Sequence, residues 1–139
     1  MNTMKYRKLH GYKYLLEALK SVDINTPVVA RHKYFTIAMN FVVIHKGYAW
    51  DGPSGPTFDT PNFMLGSLVH DVFYQAMREG LLPASFRKTA DLELRRICIE
   101  QGMSKFRAWY VYNAVRIFSN VKPEKNPRGE IIELETHTN

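Results

Sequence analysis

His70, Asp71 and Tyr74 form the densest group of chemically capable side chains in the sequence. His70 and Asp71 are adjacent, so on a helix their side chains diverge by about 100° and can flank one site without pointing the same way. Tyr74 lies one turn after His70 on the same face, where its hydroxyl can fix a neighbouring carboxylate or a loop carbonyl. An imidazole in this setting can act as a general base.

A second carboxylate, that of Asp91, can reach His70 if the next helix runs back along the first. The chain rises ~13.5 Å from His70 to Glu79 and ~9 Å from Ser85 to Asp91, so in an antiparallel pair the two side chains differ by about one turn. A carboxylate there can accept the N–H of one ring nitrogen and leave the other nitrogen free to take a proton from water. We therefore predict a His70–Asp91 dyad with water as the nucleophile.

These residues also have structural interpretations. A histidine on a helix is most often a hydrogen-bonded structural residue, and Asp91 could pair with Arg87 or Arg95 one turn away on its own helix. Ser54 is better suited to capping a turn than to acting as a nucleophile, because no base stands at a recognisable spacing from it.

The segment 47–60 is rich in glycine and proline, which exclude both a helix and a central strand. We predict an ordered loop, because large apolar side chains can pin it to the core. These side chains are Tyr48, Trp50 and Phe58.

The same loop could hold a cation. Gly52 and Gly55 allow backbone carbonyls to turn inward, and a hard cation such as Ca²⁺ accepts carbonyl oxygens together with a carboxylate. Three aspartates could supply that carboxylate: Asp51, Asp59 and Asp71. Such a cation would polarise a substrate carbonyl and stabilise the oxyanion that forms on attack.

The elements that position these groups begin with a β-rich part, residues 1–46. The residues from Val28 to Ile44 favour a hairpin around a break at Met39-Asn40. The side chains expected on its buried face are Phe35, Ile37, Phe41 and Val43. The segment 12–22 suits either a weak helix or an irregular strand.

Three helices are predicted over residues 61–119. The first has Thr60 as N-cap and Pro61 in its first turn, and it stops at Gly80. The second begins near Ser85 and ends at Gly102. The third starts after Ser104, and its face repeats at three- and four-residue steps through Phe106, Trp109, Tyr110, Asn113, Ala114 and Ile117. The aromatic cluster Trp109-Tyr110-Tyr112 is interpreted as core rather than as a stacking platform for nucleic acid.

These elements predict an α+β fold in one domain over 1–139. A small N-terminal antiparallel β-hairpin or sheet packs on a C-terminal bundle of three helices, and a tail over 120–139 could form only a short strand at 131–134.

Composition narrows the class of protein. The hydrophobic content is 45% and the charged content 23%, as in an ordinary globular domain. The single Cys98 excludes an internal disulfide, and with no signal peptide or apolar run of spanning length the chain is expected to be soluble. The net charge of +6 would favour contact with phosphate-rich partners, either nucleic acid or an anionic bilayer. Because there is no dense basic run, the charge is better interpreted as a solvated surface, and no specific nucleic acid is expected.

The stretches 47–56 and 67–74, followed by Ala90-Asp91, resemble small tailed-phage and prophage proteins grouped as domain of unknown function 1353. The resemblance covers roughly residues 28–118. The positions that match the family pattern are Gly47, Tyr48, Asp51, Ser54, Pro56, His70, Asp71, Tyr74, Ala90 and Asp91. The resemblance implies a phage-encoded protein that is made in the host cytoplasm and associates with other virion or tail proteins. The resemblance does not imply an activity.

A second, local stretch is similar to the secreted and parvoviral calcium-dependent phospholipases, which place a glycine-rich calcium loop before a helix bearing His-Asp-x-x-Tyr. This resemblance implies that His70 is the general base, Asp91 its carboxylate partner and Tyr74 a structural hydroxyl. The metal ligands it implies are Asp71, Gly52 and Gly55. The chain departs from those enzymes in lacking the disulfides of the secreted members and in the spacing of its loop around 51–55.

Two functions follow as the main hypotheses, and a third, a basic nucleic-acid-binding module, rests only on net charge and aromatic residues. The first is a calcium-dependent ester hydrolase acting on host-envelope lipid during phage entry. The second is a structural or assembly component of a phage particle, in which Asp51, Ser54, His70 and Asp91 form a buried polar network that locks the loop onto the helices.

Overall fold

The computed structural model of the protein describes residues 3–9, 14–52 and 60–121 and has an α+β fold. Small antiparallel sheets occupy the N-terminal part, and helices follow them. In chain order the elements are β1 (Tyr6–Lys8), β2 (Tyr14–Leu16), β3 (Lys20–Arg31), β4 (Phe35–Ile44), β5 (Ala49–Trp50), α1 (Pro61–Arg78), a 3₁₀ turn (Ala84–Phe86), α2 (Arg87–Glu100) and α3 (Lys105–Phe118). The short strand predicted at 131–134 lies outside the described residues.

The strands form two antiparallel sheets. One has the order β1-β2-β5, and the other is the β3-β4 hairpin. Tyr14 pairs with Trp50 in the first sheet, so the residues that open the glycine/proline loop are already anchored to the N-terminal strands. The segment 12–22 contains β2 and the start of β3, which agrees with the strand alternative and not with a weak helix.

The hairpin turns at residues 32–34. The prediction that it turns at Met39-Asn40 is therefore wrong, since both residues lie within β4. Met39 instead has φ +56°, and the register of the two strands shifts between Asp23 and Val28. This irregularity moves the buried face of β4 by one residue, because neighbouring strand residues point to opposite faces. Phe35 and Ile37 are buried as predicted, but beyond the shift the buried side chains are those of Val42 and Ile44, not Phe41 and Val43.

Helix α1 begins and ends where local chemistry predicts. Pro61 opens it, and Gly80 follows it with φ +77°, a conformation that favours glycine. Thr60 occupies the N-cap position without capping, since its side chain makes no hydrogen bond to the backbone of the first turn. Its hydroxyl donates to Asn62 Oδ1 at 2.7 Å and accepts from Arg107 Nη1 at 2.7 Å, which ties the start of α1 to α3.

Helix α3 turns a different face to the core than its large apolar side chains predict. Ser104 caps it as expected by accepting the backbone N–H of Arg107. Its buried residues are small or β-branched: Ala108, Val111, Ala114 and Val115. Of the predicted face, Phe106, Trp109, Tyr110 and Ile117 are exposed and only Ala114 is buried, so the core interpretation of the aromatic cluster is wrong. The small side chains allow α3 to lie close to α2.

Helices α1 and α2 approach each other closely at Gly66. A Cβ added there would lie 2.8 Å from Cys98 Sγ and 2.9 Å from Leu94 Cδ1. His70 follows Gly66 by one turn and Asp91 precedes Leu94 by nearly one turn, so this contact sets the distance between the two site residues. Among the described residues no helix is both long and apolar enough to cross a membrane.

We predict that Gly66→Ala lowers the free energy of unfolding by about 1–2 kcal/mol. Overpacking of a core costs about 1–3 kcal/mol, and because the new methyl group would lie under 3.0 Å from both Cys98 Sγ and Leu94 Cδ1 we expect about 2–3 kcal/mol here. The better helix propensity of alanine offsets about 1 kcal/mol of this cost. Chemical denaturation measures the change. Lys88→Ala, on the exposed side of α2, serves as a control with little effect.

Cys98→Ala in the Gly66→Ala background should recover part of the loss, because it removes the sulfur that the new methyl group meets. An unchanged stability in Gly66→Ala, or strictly additive effects in the double variant, would contradict the close approach.

Candidate active site

One face of α1 forms the wall of an open cavity of about 140 Å³. The α1 side chains on this wall follow one another at helical spacing: Ser67, His70, Asp71, Tyr74 and Arg78. The other walls include Asp51, Gly52, Leu94, Val115, Phe118 and Asn120. His70 and Asp71 thus flank one cavity although their side chains diverge, as predicted for neighbours on a helix.

The predicted contact between His70 and Asp91 is confirmed. His70 Nε2 and Asp91 Oδ1 are 2.7 Å apart, Asp91 is completely buried and His70 is 8% exposed. An ionised carboxylate can only accept, so Nε2 carries the proton and donates it to Asp91, and in the neutral ring Nδ1 is then the acceptor. Within the described residues no group hydrogen-bonds to Nδ1. The arrangement leaves that nitrogen able to accept a proton from water.

Asp91 is held from two further sides. Tyr74 donates its hydroxyl to Oδ1 at 2.7 Å, and Arg116 Nη1 donates to Oδ2 at 2.8 Å. Burial alone raises the pKa of Asp91. The hydrogen bond and charge of His70 and the hydrogen bonds of Tyr74 and Arg116 outweigh burial, and the pKa of Asp91 lies below its usual value. The carboxylate is therefore charged at neutral pH.

The alternative pairing of Asp91 with arginines of its own helix is not observed among the described residues. Arg87 Nη2 donates to the backbone carbonyls of Arg116 and Ser119 instead, at 2.5 Å and 2.9 Å. The guanidinium of Arg95 lies over the ring of Tyr112, 5.0 Å from its centroid. The cation that pairs with Asp91 comes from α3.

Tyr74 acts on the dyad in the way its spacing predicts. Its ring packs beside the imidazole of His70, with centroids 4.3 Å apart. Burial, followed by the hydrogen bond to Asp91, raises the pKa of Tyr74 well above its ordinary value. The hydroxyl therefore stays protonated and remains a donor to the carboxylate.

The start of the glycine/proline loop is pinned to α1, as its aromatic residues predict. Trp50 Nε1 donates to Ser67 Oγ at 3.2 Å, and Tyr48 donates its hydroxyl to Gln75 Oε1 at 2.9 Å. Both aromatic side chains are completely buried. Phe58, the third predicted anchor, lies outside the described residues.

Asp51, Gly52 and Asp71 meet beside His70 on the cavity wall. The backbone N–H of Asp51 donates to Asp71 Oδ2 at 3.4 Å. Gly52 has φ +78°, where a side chain would be strained, so a glycine is needed at this turn. Ser54, Gly55 and Asp59 lie outside the described residues.

The described residues do not by themselves complete a metal site. No group of three or more His, Cys, Asp or Glu side chains in the described ranges is arranged to hold an ion. Asp71 and the backbone at Gly52 offer the oxygen donors that a hard cation prefers, but Ca²⁺ takes six to eight of them. The predicted calcium site therefore stays a prediction.

Two arginines of the site were not predicted from the sequence. Arg116 pairs with Asp91, and no local pattern connects residues on separate helices. Arg78 lines the cavity, with its guanidinium 5.9 Å from the Tyr74 ring centroid and its Nη2 donating to Asn120 O at 3.2 Å. Arg78 follows Tyr74 by four residues, so extending the polar face of α1 by one turn would have found it.

Comparison with known proteins finds no matching family model, no matching curated protein and no matching solved structure. The interpretation of the site therefore depends on its geometry and on the sequence motifs.

We predict that Asp91→Asn lowers the free energy of unfolding at neutral pH by about 3 kcal/mol, because it leaves a buried network without its charge. The folded-state pKa of Asp91 lies below its unfolded value. Its contribution is therefore present above the unfolded pKa of about 3.9 and is lost as pH falls through the folded pKa.

Denaturation curves at pH values from neutral down to the acid range test this prediction. The variant should lose less stability than the wild type as the pH falls below about 4. Asp23→Asn, at an exposed strand position, should keep the wild-type dependence. Parallel curves for the wild type and Asp91→Asn would show that the carboxylate is not stabilised by its partners.

Proposed function

We propose that the protein is a hydrolase of ester bonds, with His70 as the general base and Asp91 as the carboxylate that positions it. One observation carries the proposal. His70 lies on the wall of an open cavity and donates its Nε2–H to the buried carboxylate of Asp91. Among the described residues no group hydrogen-bonds to its Nδ1. This is the arrangement that general-base catalysis by a histidine requires.

The reaction begins with a water molecule between Nδ1 of His70 and the carbonyl carbon of the ester. As the water oxygen attacks the carbon, Nδ1 takes its proton, and the Asp91 carboxylate stabilises the imidazolium that forms. The tetrahedral intermediate then breaks its bond to the leaving oxygen. Nδ1 returns the proton to that oxygen, so the products are a carboxylic acid and an alcohol.

The cavity walls combine apolar surface with one arginine and with the carboxylates of Asp51 and Asp71, which bound calcium would neutralise, so they suit an amphiphilic substrate with a phosphate group. Leu94, Val115 and Phe118 provide apolar surface, and Arg78 provides a positive charge. An acyl chain suits the first kind of wall, and a phosphate group suits the second. A phospholipid has both parts, which supports a phospholipase-like activity.

Calcium belongs to this proposal as a ligand of the same cavity. Asp71 would bind it through its carboxylate, and Gly52 and Gly55 through their carbonyl oxygens. Bound there, Ca²⁺ would polarise the ester carbonyl and stabilise the oxyanion.

The resemblance of the sequence motifs to those of phage and prophage proteins supports phage infection as the setting for this activity. In this proposal the chain is made in the host cytoplasm, joins other virion or tail proteins and acts on lipid of the host envelope.

A non-enzymatic role in the phage particle is the second candidate, and the Asp91 network favours it. Tyr74 and His70 from α1, Asp91 from α2 and Arg116 from α3 join three helices through one carboxylate. Such a network can serve to fix one conformation for assembly. In that case Nδ1 of His70 would have no chemical role.

We predict that the purified protein hydrolyses phospholipid vesicles in millimolar calcium and that His70→Ala lowers the rate by about 10²–10⁴-fold, the usual contribution of a general base. Released fatty acid is the readout. His45→Ala, which removes a histidine away from the cavity, should keep the wild-type rate. His70→Gln provides a second test if the alanine variant does not fold.

The outcome separates the two candidates. Absence of hydrolysis by the wild type, or full activity in a folded His70 variant, overturns the hydrolase proposal. Loss of stability or of particle incorporation in the His70 variants, with no hydrolysis by the wild type, supports the assembly role.

We also predict that excess calcium stabilises the protein by about 1–3 kcal/mol, because a ligand that binds only the folded state raises its stability. Thermal unfolding with calcium and with EDTA measures the effect. Asp71→Asn should abolish it, and Asp23→Asn should not. Identical unfolding in calcium and in EDTA would remove calcium from the proposal and leave the dyad unaffected.

A further inference from the structure

We infer that the outward face of α3 is a docking surface for an anionic lipid bilayer, which brings the mouth of the cavity to its substrate. The inference rests on the proposed function, since it names the surface on which that function would operate. We call this surface the α3 outer face; its residues are Phe106, Trp109, Tyr110 and Ile117.

The α3 outer face exposes an unusual amount of apolar surface. Phe106 is 77% exposed, Ile117 73%, Trp109 55% and Tyr110 42%. They recur at helical spacing along one side of the helix, and the rings of Phe106 and Trp109 stack with centroids 6.2 Å apart. Single exposed apolar residues are normal, but a stripe of four on one side of a helix, interrupted at Asn113, marks an interaction surface.

This stripe leads to the cavity. Phe118 follows Ile117 directly, is 58% exposed and lines the cavity together with Asn120. A lipid that leaves the bilayer beside the end of α3 would therefore enter the space that His70 lines. This continuity connects the surface to the candidate active site.

Charge favours an anionic bilayer over a second copy of the chain. Helix α3 contains no acidic residue, it begins with the exposed Lys105, and the whole chain carries +6. The arginines of α3, Arg107 and Arg116, donate to Thr60 and Asp91 and add little to the charge of this face. Two such faces would bring like charges together. At a bilayer, aromatic rings lie at the level of the headgroups while lysine and arginine reach the lipid phosphates.

Trp109 provides a direct probe, because the other tryptophan, Trp50, is already completely buried. With phosphatidylglycerol vesicles the emission of Trp109 should shift to shorter wavelength, and the protein should sediment with the vesicles. Binding should weaken as salt rises and should be much weaker with phosphatidylcholine vesicles.

The double variant Phe106→Ser/Ile117→Ser should weaken binding at least about tenfold, because it removes the two most exposed apolar side chains of the face. The matched control Leu19→Ser/Val29→Ser removes apolar side chains of similar exposure, 57% and 56%, from the N-terminal β-rich part. The control should bind as the wild type does.

Absence of binding to phosphatidylglycerol vesicles, or equal binding by the double variant, overturns the inference. A dimer in sedimentation experiments that the double variant abolishes, without vesicle binding, shows that a second copy covers the face and also overturns it. Hydrolysis of a soluble short-chain ester separates this inference from the proposed function. Ester hydrolysis without vesicle binding refutes only the docking surface, and vesicle binding without hydrolysis of any ester refutes only the hydrolase.

Discussion

The buried carboxylate of Asp91 is the constraint on which the site depends. A charged group without water is very unfavourable unless donors replace the water, and here three side chains do so. His70 and Tyr74 come from α1, and Arg116 comes from α3. The position of α2 between its neighbours is therefore fixed by charge as well as by apolar packing.

The same hydrogen bonds prepare His70 to act as a base. A carboxylate that accepts from Nε2 selects the tautomer in which Nδ1 is the acceptor, and it holds the ring in one orientation. The adjacent Tyr74 ring restricts the imidazole further. One network therefore both stabilises the helices and prepares a base. The protein is an enzyme if Nδ1 meets a substrate, and a scaffold if it does not.

Much of the fold was predictable because local chemistry marks its boundaries. Pro61, Gly80 and Ser104 delimit helices by backbone geometry and capping, and the helix rise was enough to place Asp91 near His70. The errors arose where two patterns competed. Helix α3 has apolar residues on two faces, and the smaller side chains pack on α2 while the larger ones lie outside. In β4, the positive φ of Met39 reverses the buried face, which alternation alone cannot show. Arg116 belongs to the site only through tertiary packing.

The most direct test of this account is the tautomer of His70, measured from the ¹⁵N chemical shifts of its ring by NMR at a pH where the ring is neutral. If Asp91 holds the imidazole as described, Nε2 carries the proton, Nδ1 does not, and the Nε2 signal changes in Asp91→Asn. A proton on Nδ1, or a ring that does not respond to loss of the Asp91 charge, would contradict this arrangement.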